Sequence, residues 1–235
     1  MNARTRRLAP FAGYLMVALI VAALFTVSDT PDAKDSGAKV IAYFTHHKTS
    51  THLQDFFFAY AALAAIVYFT SVATYLRSRG SQILATTAVA GGIMFATGLG
   101  VATGVNEALS DRPAQMSAAT AQTLNLLSND LFGVLLFAGL ALATTSLGVA
   151  MLRTHALPTA LGVITTIVGV AAGTGIVSWF AFMATGPLTL VVAPYVYSRM
   201  GRPSEISLPD ATVQIPEQPK ARAAAKSDAK AKTTA

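Results

Sequence analysis

Apolar residues in this chain come mostly in unbroken runs, separated by short polar punctuation, rather than in the alternating pattern of a half-buried strand. A helix needs about 20 mostly apolar residues to cross a hydrocarbon layer roughly 30 Å thick. The runs predict six such helices, over residues 10–27, 56–76, 83–105, 131–152, 157–173 and 177–198. The first is preceded by Arg4, Arg6 and Arg7. Ser28-Asp29-Thr30-Pro31 after it carries no small-x-small cleavage pattern, so it reads as a retained signal anchor. Arg77 and Arg79 stop the second run, and Arg153 and His155 the fourth. Apolar sequence from Leu157-Pro158 to Ser198 is too long for one helix. It is divided near Gly173 to Trp179, with Trp179 as an interfacial anchor. Pro187 and Pro194 make the sixth run irregular.

The polar segments differ from one another. Within Ser28 to Asp55, Ser36 has the character of an N-cap, and Val40, Ile41 and Phe44 recur at helical spacing. This predicts a short helix lying on the outer membrane surface or capping the bundle. Ala108 to Ser128, with Asp111, Arg112 and Pro113, reads as a polar loop. Residues 200–235 are rich in Pro, Ala and Lys, with too little apolar surface to offset chain entropy, and are expected to be disordered. The expected fold class is therefore all-α, a polytopic transmembrane helix bundle of six spans. It comprises a cytoplasmic N-terminus over 1–9, a six-helix domain over 10–199 and a basic cytoplasmic tail over 200–235.

Composition strengthens this picture. The chain is 53% hydrophobic and 12% charged, against about 25% charged in soluble proteins. Its net charge of +6 is unevenly spread. With the N-terminus inside, 13 of the 17 Lys and Arg residues face the cytoplasm, leaving Lys34, Lys39, Lys48 and Arg112 outside. That asymmetry follows the positive-inside rule and predicts a multi-pass protein of the plasma (inner) membrane with both termini cytoplasmic. The basic charge is thus a topology signal, and no nucleic-acid partner is expected. The partners implied are the lipid bilayer itself and anionic lipid at the tail, where each basic residue near the surface contributes about 1 kcal/mol. The absence of cysteine removes disulfides, thiolate metal sites and thiol catalysis.

Candidate chemistry gathers at the outer ends of the runs. Asp55, Asn106, Glu107 and Asp130 are the candidate ligand-binding residues. Asp55 and Asp130 open the second and fourth runs, where a carboxylate is favoured against the helix dipole. Glu107 sits at a C-terminal end and is expected to pair with Arg112. His46, His47 and His52 are weak metal candidates. No H-E-x-x-H pattern accompanies them, so neither a metal nor a cofactor is expected. No ionisable residue falls in the middle third of any run, which disfavours a proton-coupled transporter. With no phosphate loop and no Ser-His-Asp order, the chain does not read as an enzyme. Ala88, Gly92, Ala96, Gly100 and Gly104 form a stripe at four-residue spacing, and Gly169 and Gly173 repeat that spacing. Such stripes let helices approach closely in lipid, within the bundle or in a homo-oligomer. The Thr pairs at 86–87, 144–145 and 165–166 are expected to bond back to their own helices. Tyr75-Leu76-Arg77-Ser78 echoes Met151-Leu152-Arg153-Thr154. As a parallel repeat of two hairpins, this would bring Asp55 and Asp130 to equivalent inward positions at one shared mouth.

The Arg-flanked first helix, Val40-Ile41-Ala42-Tyr43-Phe44 with His46-His47, the Arg-rich turn after the second run, and Arg153 through Leu157-Pro158 before Leu161-Gly162 resemble a group of uncharacterised multi-pass membrane proteins of high-GC Gram-positive bacteria. The resemblance covers roughly residues 5–199. It implies a membrane location and a six-pass helical fold, and it brings no catalytic residues. The expected role is a non-catalytic structural, accessory or sensory component. A small-molecule transporter or channel with an outer polar vestibule is the alternative. A polar cavity at the middle of the bundle would favour transport; a midplane packed with Ala, Gly and Leu would favour the accessory role.

Overall fold

The computed structural model describes residues 8–27 and 30–200. The expectations for the first seven residues and for a disordered tail from 201 onward lie outside the described residues. Seven α-helices make up the rest: α1 (Ala12–Thr26, entered through a 3-10 turn, Ala9–Phe11), α2 (Gly37–His46), α3 (Lys48–Arg77), α4 (Gln82–Asp111), α5 (Ala118–Thr154), α6 (Thr159–Ala172) and α7 (Ser178–Met200). The described residues contain no strand. Five segments are long and apolar enough to cross a membrane: Ala9–Thr26, Lys48–Arg77, Gln82–Asp111, Ala118–Thr154 and Ser178–Met200. This is the architecture of a membrane-embedded protein.

The short helix forms as its sequence predicts. Ser36 Oγ accepts from the Lys39 amide at 3.4 Å, and Val40 and Phe44 are buried. They pack with Leu109 and Ala121 in a second small core above the main one. Burying side chains of this size stabilises the cap by roughly 1.5–3 kcal/mol apiece. Gly37 is required here, because a Cβ would run into the Ala118 carbonyl at the start of α5. Asn125 Nδ2 donates to the Asp32 carbonyl at 2.9 Å, tying the segment before α2 to α5. The end of the bundle that carries α2 is called the cap end below. The opposite end, with Arg77, Arg79, Arg153 and Arg199, is the basal end.

Three expectations change at the cap end. The loop over 108–128 is mostly helix, with only residues 112–117 outside α4 and α5. Ser117 starts α5 early by accepting from the Thr120 amide at 3.1 Å, and the polar turns that follow are held by packing against α2. α3 likewise begins at Lys48, so Asp55 lies two turns inside its helix and Asp130 three turns inside α5. The dipole effect fades within the first turn. It therefore explains neither carboxylate.

The fifth run forms a helix within its expected bounds, but a short one. α6 has only 14 residues, about 21 Å of helix against a layer of roughly 30 Å. A Cβ on Gly173, just past its end, would lie 3.3 Å from the Ala141 side chain. Ala141 is at the centre of the apolar run 131–152. The chain turns over Gly173 to Val177, with Gly175 at φ +77, and runs back as α7. Ser178 closes this turn, accepting from the Gly175 amide at 3.0 Å and donating to the Ala172 carbonyl at 2.6 Å.

Small residues join the helices. Gly91 and Gly139 face each other across α4 and α5, Gly148 and Gly162 across α5 and α6, and Gly169 abuts the backbone at Thr145. Lipid offers no hydrophobic drive between helices, so this close contact supplies much of the association. Thr86, Thr87, Thr144, Thr165 and Thr166 bond back as expected, for example Thr144 to the Leu140 carbonyl at 2.6 Å and Thr165 to Leu161 at 2.6 Å. Pro194 lies inside α7 and has no amide hydrogen to give residue 190. Tyr14 of α1 replaces it, donating its hydroxyl to the Leu190 carbonyl at 2.8 Å.

Candidate functional site

α3 and α4 run antiparallel, and their register decides what meets at the cap end. Gly92 packs on Phe69 at the centre of the pair. Toward the cap the stripe of small residues opens: a Cβ on Gly100 or Gly104 would have nothing within 4 Å. The result is an open groove of ≈ 690 Å³ between the helices, with Gly100, Thr103 and Gly104 on one wall and Phe56 and Ala59 on the other. His52 and Asp55 from α3, and Glu107 and Asp111 from α4, complete its lining. Each helix contributes two of these groups, spaced three or four residues apart and so on one face.

His52 Nδ1 lies 2.7 Å from Glu107 Oε2, and both side chains are partly exposed. Glu107 thus finds its partner 55 residues away in α3 rather than in Arg112. One donor atom each from His52, Glu107 and Asp111 lies within 4.8 Å of the others. Lys48 reaches the same corner, but its ammonium donates to the Asp111 backbone carbonyl at 3.2 Å. Among the described residues, the ion pairs are His52–Glu107 and Lys39–Asp35, so neither Asp55 nor Asp111 is ion-paired.

Asp55 is the unusual member. It is 3% exposed, yet neither carboxylate oxygen has a hydrogen-bond partner in good geometry. Asn106, His52 and Glu107 are its polar neighbours. Asn106 Oδ1 accepts from Ser128 Oγ of α5 at 3.1 Å. One turn further toward the cap, the hydroxyls of Thr51 and Ser110 are also buried and unpartnered. The register that sets Asn106 beside Asp55 sets Ser110 opposite Thr51. A buried polar atom without a partner costs about 1–3 kcal/mol, so this polar seam is an expensive feature for a purely structural joint.

The structure thus brings Asp55, Asn106 and Glu107 together, as their sequence positions suggested, but leaves Asp130 elsewhere. Asp130 lines a separate groove of ≈ 680 Å³ along α5, with Asn129, Gly133 and Phe137, that continues to Gly173, Gly175 and Ser178 at the α6–α7 turn. The two carboxylates do not share a mouth, and the hairpins of the proposed repeat are unequal: α3 and α4 have 30 residues each, α5 and α6 have 37 and 14. His46 ends α2, while His47 stacks on Tyr43 with centroids 4.6 Å apart; neither lines the α3–α4 groove. Asp111 was missed as a site residue because the loop assigned to it hid its place one turn beyond Glu107 on the same helix.

The middle of the bundle has a different character. Phe69, Phe95, Phe137 and Phe182 form a chain of ring contacts there, with Phe69–Phe95 at 6.1 Å and Phe95–Phe182 at 6.4 Å. The cavity beside them holds only ≈ 70 Å³ and is walled by Met16, Ile20, Leu140 and other apolar groups. No family model, curated protein or solved structure matches the chain, so its function has to be read from these side chains.

Proposed function

We propose that this chain is a non-catalytic accessory or sensory component of a plasma membrane, with the cap end outside as its working face. The observation that carries the reading is the division of polarity along the bundle. Aromatic and aliphatic side chains fill the middle, while Asp55, Thr51 and Ser110, buried and unpartnered, lie together at the cap end. Intramembrane charges that would carry ions or protons across are lacking from the middle of every apolar run. The Lys and Arg distribution supports a cytoplasmic basal end with both termini on that side. Four helices, α1, α3, α4 and α5, then cross fully. α6 is too short to cross, so α6 and α7, the latter long enough to span by itself, enter as a hairpin from the basal side and turn within the apolar layer, in place of the fifth and sixth crossings. Both arrangements leave the C-terminus inside.

A second reading, a small-molecule transporter or channel, draws on the α5 groove. Irregular backbone at membrane depth is tolerated where it is buried in protein or lines a water-filled cavity. The Gly173 to Val177 turn lines a groove with Asn129 and Asp130 at its other end. Proteoliposomes decide between the readings. No flux of potassium, protons or small polar solutes above protein-free vesicles is expected; saturable flux that falls on Asp130→Asn would overturn the accessory reading. The hairpin is tested in the cysteine-free chain by single replacements, Thr174→Cys against Gln115→Cys. Gln115→Cys should label from outside with a membrane-impermeant maleimide, and Thr174→Cys should not.

A further inference from the structure

We infer that the α3–α4 groove is a binding site for a divalent transition-metal ion, held by His52, Glu107 and Asp111 with Asp55 as the inner carboxylate. The inference rests on the reading of the cap end as the working face and names the ligand it would sense. Imidazole nitrogen together with carboxylate oxygen suits borderline ions such as zinc, whereas magnesium and calcium take oxygen alone. Zinc bonds of about 2.0–2.2 Å put tetrahedral ligand atoms roughly 3.4 Å apart. The three donor atoms already lie within 4.8 Å of one another, so side-chain rotation in the open groove suffices to close on an ion. The His52–Glu107 contact at 2.7 Å is where a metal would replace the shared proton.

Asp55 supplies the independent observation. A carboxylate 3% exposed, lining this groove, with neither oxygen in a hydrogen bond of good geometry and the Asn106 amide beside it, is not accounted for by the ion pair in front of it. Nor does it cap its helix, since α3 begins two turns earlier. A cation at the His52–Glu107–Asp111 corner would give Asp55 a counter-charge, as ligand or through a bound water. It would also relieve the repulsion among the three carboxylates of the groove. Gly100 and Gly104 keep the groove open along the α4 wall.

The test uses the full chain, purified in detergent after chelation. Zinc is added by equilibrium dialysis and counted by elemental analysis, with magnesium as competitor. One zinc per chain is expected, unaffected by millimolar magnesium, with a rise in melting temperature. Glu107→Gln and Asp111→Asn, both exposed and so tolerated by the fold, should weaken binding more than about tenfold and abolish the thermal shift. The double variant His46→Ala/His47→Ala should bind as the parent does. Substoichiometric zinc, or zinc that follows His46 and His47 instead, overturns the site and leaves the accessory reading standing. Stoichiometric zinc that also crosses proteoliposomes supports the site and overturns the non-transporting reading.

Discussion

Gly139 and Gly100 are both helical glycines in apolar runs, and the structure assigns opposite signs to their replacement by alanine. A Cβ on Gly139 would meet the Phe95 amide nitrogen and lie 2.8 Å from both the Gly91 carbonyl oxygen and the Met94 carbonyl carbon. Unstrained carbon contacts begin near 3.5 Å, so α4 and α5 would have to part by roughly half an ångström or more at this crossing. A gap of that size forfeits about a quarter of the contact attraction, and it would do so across the most extensive helix pair in the bundle. Gly139→Ala should therefore cost about 1–3 kcal/mol, the range for an overpacked interior. Around Gly100 and Gly104 an added Cβ meets nothing within 4 Å. Alanine there gains helix propensity of at most about 1 kcal/mol, less where the unfolded chain keeps its helices in detergent. Unfolding in mixed micelles, followed through Trp179, the only tryptophan, measures all three. A neutral Gly139→Ala would refute the packing register. A loss of stability on Gly104→Ala that eases on dilution would instead make the open stripe an interface between copies of the chain.

Other consequences follow from single bonds. Tyr14→Phe should cost about 1 kcal/mol by orphaning the Leu190 carbonyl, and should cost nothing in a Pro194→Ala background, where α7 satisfies that carbonyl itself. Tyr75→Phe, which strips the buried Ala156 carbonyl of a 3.0 Å donor, should loosen the α5–α6 turn by a similar amount, read as faster proteolysis there. The Lys39 side chain and then the Asp32 amide hold the exposed Asp35 carboxyl below its ordinary value of 3.8. A depressed carboxylate stabilises the fold fully above its unfolded value and loses that contribution as pH falls through its folded one. The difference in α2 amide exchange between Asp35→Asn and the parent should therefore be full at pH 6 and shrink as pH falls through the lowered Asp35 value.

Periodicity and run length made the helices legible, because lipid imposes one strong rule on the backbone and the sequence obeys it over 10–27, 56–76, 83–105, 131–152 and 177–198, with the shorter α6 falling inside the expected 157–173. The short cap helix was equally legible: Ser36, Val40 and Phe44 carry a local signal that needs no tertiary context. Run length divided the last apolar stretch into α6 and α7 close to the expected bounds, but left the depth of the turn between them undetermined. Nothing between Leu157 and Ser198 says how deep a turn sits, since Gly173 and Gly175 mark a break without marking its depth. Polar composition failed at 108–128 for the opposite reason. Helix ends that protrude beyond the apolar layer are polar outside and held by a few buried contacts, here Leu109, Ala121 and Asn125, too sparse to show as a pattern.

The site was half legible for a related cause. Asp55, Asn106 and Glu107 stand out as charges at the ends of apolar runs, but their relation to His52 and Asp111 depends on the register of two antiparallel helices. That register is set far from the site, by Gly92 against Phe69 and by the four-residue turn at Ser78–Ser81. A shift of one residue there would turn Glu107 away from His52, since neighbours along a helix are rotated by about 100°. The small-residue stripe therefore does two things along one face of α4. Where Ala88, Gly92 and Ala96 are buried it fixes the register, and where Gly100 and Gly104 are exposed it leaves the groove that the polar groups line. A helix whose only task was to pack would gain by closing that second half with larger side chains. The open end, lined by one histidine and three carboxylates, is the part of this molecule that packing does not explain.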